Sequence, residues 1–405
     1  MDMTEDDESF INGIYGLDNL GNTCYLNSII QTLANINLFR NFLIDQKFVD
    51  LILHKINLIK NDNLKFKITT FENYSIFQFY RIIKTIWTGS VDSETLKPIT
   101  LIKKISMKNS MFKSNEQQDV QEAFTILVEM MHLEIAQNVI TTEINMSDHL
   151  QKACYDFWAK EYSPLYEIFH GMYLTSRTCS KCNYLAREFN PNLFLSVDIP
   201  TSTKLTFDKT NFDPSIYIDI NCKIPTIKID SSVKQKMCKN LDSNTIDLIA
   251  DKHIIISNYS AKYNLEDCLE EFISDKNIDD CICPNCNNNC ECSSKTELVI
   301  PPKVLCIHIK RFGNNLIKRT NHIIFPLDLD IKNLIKNNEL NLKTKYNLKS
   351  VINHSGSNLN YGHYYTYAYS SIHEKWYNFN DDNVIHINES EICTQNAYLL
   401  FYELI

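Results

Sequence analysis

With 405 residues, 44% of them hydrophobic and 11% aromatic, the chain has material for a large packed core and does not have a disordered composition. Its formal net charge of −9, spread without a long acidic run, argues against a protein that grips a phosphate backbone, which needs clustered Lys and Arg. No stretch approaches the roughly 20 apolar residues that span a bilayer.

Residues 1–13 open with MDMTEDDESF, an acidic extension with neither the basic nor the apolar region of a secretory signal, so a soluble, cytoplasmic and/or nuclear protein is expected. In that setting the fourteen cysteines point to metal binding and catalysis rather than to disulfides. GLDNLGNTCYLNSIIQTL places Cys24 between a Gly-Asn turn and a helical pattern. Leu26, Ile29, Ile30, Leu33 and Ile36 predict one amphipathic helix over 24–40. A sulfur at a helix start sits near unpaired N–H groups that favour negative charge, as a nucleophile requires. Asn19, five residues upstream, is a turn residue whose amide is a candidate oxyanion donor together with the Cys24 backbone N–H.

A second amphipathic helix is predicted to open at Ser114, with Gln117 as its capping-box partner and Val120, Phe124, Leu127, Val128 and Met131 turned inward. Cys179-Ser-Lys-Cys182 and Cys283-Pro-Asn-Cys286 are two knuckles with the spacing of a tetrahedral structural zinc site. Cys281, Cys290 and Cys292 crowd the second knuckle and leave its ligand set open. Residues 201–262, rich in Asn, Ile and Lys, read as an insertion. From about residue 299 the pattern turns to strands in VLCIHIKRF, GHYYTYAYS and NAYLLFYEL. His363 falls at a strand start, followed by Asn380, Asp381 and Asp382. A Cys, His, Asn order supplies a thiol, a base and an orienting group.

These segments resemble the ubiquitin-specific proteases. The Cys24 segment is similar to that family's Cys box and residues 351–384 to its His box. Gln117-Gln118-Asp119-Val120-Gln121-Glu122 resembles its glutamine-rich helix start, and PPKVLCIHIKRF its strand leading into the palm. The resemblance covers most of 14–405. It implies an α+β, papain-like cysteine protease core, with a helical part (14–160), zinc-tied fingers (161–300, with the 201–262 insertion) and a sheet-rich part (301–405). Cys24 is then the nucleophile on the carbonyl of ubiquitin's C-terminal glycine, and His363 the acid/base. Asn380 is the third triad member, directly after the Phe of Trp-x-x-Phe, where the family uses Asp or Asn; Asp381 shares the orienting work. Asn19 matches the oxyanion position. Asp119, His354 and Gln118 are expected beside the channel for ubiquitin's tail, and Cys179, Cys182, Cys283 and Cys286 around one structural zinc, with no cofactor for catalysis. The implied partners are ubiquitin and ubiquitinated proteins, with room for an activating protein partner, and neither nucleic acid nor membrane. A protease for a ubiquitin-like modifier would keep the same triad. A catalytically silent ubiquitin-binding scaffold would lack one of its members, and all are present.

Overall fold

The computed structural model describes residues 12–45, 48, 50, 74–89, 97–113, 116–137, 149–159, 162–199, 262–313, 318–335, 342–358 and 361–405, and the backbone of four short strands within 217–256. Helices come first: α1 (Cys24–Asn35), α2 (Asn37–Ile44), α3 (Ser75–Thr88), α4 (Ile99–Lys108), α5 (Val120–Ile135), α6 (His149–Cys154) and α7 (Pro164–Phe169). The chain then turns to strands: β1 (Gly171–Cys179), β2 (Leu185–Asn192), β3 (Phe194–Val197), β4 (Tyr217–Asp219), β5 (Thr226–Lys228), β6 (Ile246–Ile249), β7 (His253–Ile256) and β8 (Lys262–Asn264). Helix α8 (Leu265–Ile273) leads into β9 (Lys276–Ile282), β10 (Asn289–Ile300), β11 (Val304–Ile309), β12 (His322–Ile324) and β13 (Asp328–Asp330). Strands β14 (Lys345–Asn358), β15 (Tyr361–Ser370), β16 (Lys375–Asn380), β17 (Asn383–Ile387) and β18 (Ala397–Leu404) close the chain.

The helix expected over 24–40 is two helices. Ile36 is extended (φ −80°, ψ 112°), and α2 starts anew on the last strand, where the Glu403 carboxylate accepts from the Leu38 N–H at 2.7 Å and the Asn37 amide at 3.2 Å. An acceptor at a helix start satisfies N–H groups that have no partner within the helix. The amphipathic reading of α1 also needs correction, because all twelve of its residues are buried. Its polar side is sealed by hydrogen bonds: Gln31 Nε2 donates to Tyr15 O (2.7 Å), and Thr32 Oγ1 pairs with Ser350 Oγ (2.9 Å). The start predicted at Ser114 lies outside the described residues. Residues 116–119 are not helical, and α5 begins at Val120. Its cap is Asp119, which accepts from the Gln121 and Glu122 N–H groups at 2.6 and 3.3 Å. The predicted inward face, from Val120 to Met131, is buried.

Strands β17-β16-β15-β14-β18-β11-β3 form the main sheet, with β13 on β14. Alternation along its strands feeds two cores. On β11, Val304 and Cys306 join the core under α1, α3 and α5, while Leu305, Ile307 and Ile309 face a second core containing Leu265 and Leu269 of α8. Strands β2-β1-β10-β9 make a separate sheet. Residues 201–262 lie largely outside the described residues; within them β4, β5, β7 and β6 pair among themselves. Among the described residues no helix is long and apolar enough to cross a membrane.

Candidate active site

The turn before α1 holds its shape through two successive left-handed residues, Gly21 (φ 96°) and Asn22 (φ 52°), the two residue types that adopt this conformation most readily. Asn19 Oδ1 ties the turn together, accepting from the N–H groups of Gly21 (3.1 Å) and Thr23 (3.2 Å). The N-cap Thr23 turns its hydroxyl back to accept from Leu20 N–H (2.9 Å) and makes no side-chain bond to the helix. Cys24 therefore begins a helix without a side-chain cap, whose Leu26 and Asn27 N–H groups donate to Thr23 O at 3.0 Å each, and it is 1% exposed. Tyr364 N–H of β15 donates to this sulfur at 3.5 Å, which sets β15 across the helix start.

His363 precedes Tyr364 on β15. Its Nε2–H donates to Asn380 Oδ1 at 2.5 Å, which leaves Nδ1 outside that bond. The imidazole pKa is raised to about 9, first by the hydrogen bond to Cys24, against the lowering effect of burial, and then by the bond to Asn380 and the charges of Cys24 and Asp381. Asp381 turns the β16–β17 corner with φ 52°. Its carboxylate lies 3.7 Å from His363 Nε2 and accepts from Asn19 Nδ2 (2.9 Å) and Asn27 Nδ2 (2.8 Å). Asn27 also donates to Leu17 O and Asp18 O at 3.2 and 3.1 Å. One amide thus clips the approach segment, α1 and the corner together. Gly16 makes this close approach feasible, since a Cβ there would fall 2.2 Å from the Asp382 carbonyl oxygen.

The five residues expected to carry the chemistry, Cys24, His363, Asn380, Asp381 and Asn19, meet at one place. The three expected beside the substrate channel differ in setting. Asp119 is a helix cap, and its Oδ2 accepts from Tyr398 Oη at 2.7 Å. Gln118 is 7% exposed, with its amide on Glu116 O. His354 is 0% exposed, between Phe312 and Tyr364, with neither ring nitrogen hydrogen-bonded; burial first, then the nearby Lys318, lowers its pKa to about 4. Its Nε2 sits where a Cβ of residue 362 would be, 2.2 Å away, so the ring supports the strand carrying His363 from beneath.

Two contributors escape the sequence reading. Gln117, assigned there to a helix cap, accepts from Cys24 Sγ (3.7 Å) and donates to Asn22 Oδ1 (2.8 Å). Asn27, whose spacing from Cys24 places it on the first turn of α1, was available only as an unassigned polar residue within a helix. The available sequence signal for the Asp119 cap is Asp119-x-x-Glu122 ahead of an apolar run.

The knuckles lie apart from this site, on the β2-β1-β10-β9 sheet. Each ends in a left-handed asparagine, Asn183 (φ 57°) and Asn287 (φ 51°), whose N–H donates to the carbonyl of the first cysteine of its knuckle, at 3.0 and 2.9 Å. The ligand atoms of Cys179, Cys182, Cys283 and Cys286 all lie within 4.8 Å of one another. Sulfurs pair across the knuckles at 4.0 Å (Cys179 and Cys286) and 3.7 Å (Cys182 and Cys283), near the ~3.8 Å edge of a tetrahedron with ~2.3 Å metal–sulfur bonds. This group can hold a metal ion.

A family model described as ubiquitin carboxyl-terminal hydrolase matches residues 15–402. The protein named ubiquitin carboxyl-terminal hydrolase 2 of Homo sapiens is 28% identical over 404 residues, covering 97% of this chain and 55% of that protein. Its Bos taurus counterpart is 27% identical over 407 residues, with the same coverage of 97% and 55%. The probable ubiquitin carboxyl-terminal hydrolase R319 of Acanthamoeba polyphaga mimivirus is 25% identical over 457 residues, covering 96% of this chain and 90% of that protein. The chain thus spans 55% of the length of the human and bovine relatives. In fold it is similar to a chain of the SAGA Ubp8/Sgf11/Sus1/Sgf73 DUB module bound to ubiquitin aldehyde, with TM-score 0.61, 20% identity, and coverage of 100% of this chain and 72% of that one. A structure of the Ubp8-Sgf11-Sgf73-Sus1 SAGA DUB module gives TM-score 0.58 at 20% identity, covering 97% and 68%.

Proposed function

Because the chain belongs to the ubiquitin carboxyl-terminal hydrolase family, we propose that it is a cysteine-type deubiquitinase, cutting isopeptide or peptide bonds after the C-terminal glycine of ubiquitin. The observation that carries this reading is a helix-start thiol that meets β15 beside His363, whose ring Asn380 holds through Nε2 at 2.5 Å.

In this reading His363 Nδ1 takes the Cys24 proton, and the thiolate attacks the carbonyl carbon of the terminal glycine. Negative charge on the former carbonyl oxygen is met by the Cys24 backbone N–H, which has no partner one turn earlier, and by the second N–H of Asn19 Nδ2, the first being held by Asp381. The imidazolium returns its proton to the leaving lysine amine as the C–N bond breaks, giving a thioester. His363 then draws a proton from water, which attacks the thioester and frees ubiquitin's carboxylate and the Cys24 thiol. Asp119 supplies acidic character toward the arginines of the substrate's tail, while the buried Gln118 and His354 shape the channel from behind, His354 through its packing against Gly362. A diglycine tail lets a narrow cleft exclude ordinary peptides, so that remote contacts with ubiquitin position the reacting carbonyl.

Cys179, Cys182, Cys283 and Cys286 would hold a structural zinc. Four thiolates fill its coordination, and the ion supplies a cross-link between segments about a hundred residues apart. An activating protein partner and a cytosolic or nuclear setting are compatible with this reading.

The test is release of a fluorescent amine from the C-terminus of ubiquitin, beside Cys24→Ala and a ubiquitin-like modifier as control substrate. Release that needs Cys24 and is weak on the control is expected. Equal or stronger release from the control would make the chain a protease for that modifier. No release from folded, metal-loaded protein would overturn the assignment for the chain acting alone.

A further inference from the structure

The core of the fingertip is built of cysteine alone. Cys179, Cys283, Cys290 and Cys292 are buried there, with Cys182, Cys281 and Cys286 packed against them. A four-coordinate ion uses four of these seven sulfurs. The remaining three, Cys281, Cys290 and Cys292, are not scattered. Cys290 Sγ lies 3.4 Å from Cys179 Sγ and 3.8 Å from Cys292 Sγ, spacings close to the 3.7 and 4.0 Å within the four-cysteine group. Cys281 faces Cys290 from the neighbouring strand, and the Cys290 thiol donates to the Cys281 carbonyl oxygen at 3.3 Å.

Strand register explains the gathering. Cys179 of β1 stands opposite Cys292 of β10, and Cys290 of β10 stands opposite Cys281 of β9, so four cysteines from three adjacent strands share one face. Sulfurs two residues apart on a regular strand would stand roughly 7 Å apart. Here Cys290 Sγ and Cys292 Sγ are 3.8 Å apart, beside a bulge in β9, where Cys281 to Ile278 stands against Cys290 to Cys292.

We propose that the fingertip is a two-metal thiolate cluster, in which Cys281, Cys290 and Cys292 bind a second thiophilic divalent cation and Cys179 bridges it to the first. Each ion then has four sulfur ligands, and both sites are closed and structural. The three added thiols each release a proton on binding. Lys181, whose Nζ donates to Asn289 O at 2.9 Å beside the second knuckle, offsets part of the excess negative charge. The proposal goes beyond the enzymatic reading and stands whether or not the chain cleaves ubiquitin.

Metal content per chain, measured on the full-length protein purified with zinc, tests it directly. Two zinc ions per chain are expected, falling to one in a Cys281→Ser/Cys290→Ser/Cys292→Ser variant that keeps the far-ultraviolet spectrum. With cadmium-113, two resonances that split one another through a shared sulfur are expected. One ion in the unaltered protein overturns the proposal and leaves the four-cysteine site standing. No ion overturns both. Two ions persisting in the triple variant would place the second cation elsewhere. The unaltered protein decides the stoichiometry even where the variant does not fold.

Discussion

His363 is the group whose protonation ties the site to pH. Its pKa of about 9 in the folded chain lies above the ordinary value of 6.5, chiefly because of the bond to Cys24. A raised pKa means that the charged ring is favoured by folding. That contribution to stability is complete below about 6.5 and disappears as pH rises through about 9. In the proposed mechanism the same proton goes to the leaving amine, so kcat/KM on a ubiquitin amide should fall on the alkaline side with a midpoint near 9. Asn380→Ala removes one of the bonds that raise the pKa. It should move the midpoint down and lower kcat/KM by roughly 10²–10⁴, the usual worth of a positioned acid or base. A pH–rate profile of the two proteins measures this, and an unmoved alkaline limb would count against the geometry. At this scale the sequence points to Cys24 and His363 through their joint appearance in two segments that resemble one family, since a thiol at a helix start or an imidazole at a strand start is by itself an ordinary structural residue. It does not name Gln117, which reaches the sulfur only because residues 116–119 stay out of the helix.

Elements bring these atoms together through tight contacts. Asp119 caps α5 and accepts from Tyr398 across the core, so one carboxylate fixes a helix start against β18. Asp119→Ala should cost about 0.5–2 kcal/mol for the cap, plus about 1–3 kcal/mol for the stranded phenol hydroxyl. Urea unfolding reads the sum, and Asp119→Asn should recover the capping share. Gly362 packs on His354 so closely that an added methyl must move the ring or the strand. Gly362→Ala should destabilise the fold by about 1–3 kcal/mol, as overpacking does, and should lower activity more than the shift in melting temperature accounts for, since His363 is the next residue. A fully active Gly362→Ala protein would show that the strand position is not critical. Periodicity predicts the inward face of α5 well but runs α1 into α2, and the capping-box reading of Ser114 and Gln117 puts the start of α5 too early. Both boundaries are set by carboxylates, Asp119 and Glu403, one of which lies more than 360 residues from the helix that it starts.

Across the whole molecule, two apolar cores lie on the two faces of the main sheet, and a third cluster, made of sulfur, occupies the fingertip. Stability should therefore be divisible. Removing metal with a chelator should expose the β9–β10 hairpin to protease and abolish processing of ubiquitin conjugates. Alkylation of Cys24 by a small reagent should persist, because the site rests on α1, β15 and β16. Loss of both together, followed by mass spectrometry of the alkylated cysteine, would show the fingertip and the active site to be one cooperative unit. By itself the sequence displayed the paired knuckles and the inward faces of its helices, because these are written in short spacings and local periodicity, while the class of the fold and the roles of the site residues came from the resemblance of whole segments to a known family. Only the tertiary structure decided that α1 is buried on all sides, that Asp381 joins Asn19 and Asn27 to His363, and that Arg311 is spent on the carbonyls of Ala397, Arg319 and Asn321. Buried polar groups must find partners wherever the fold brings them, and partners hundreds of residues apart leave no local pattern to read.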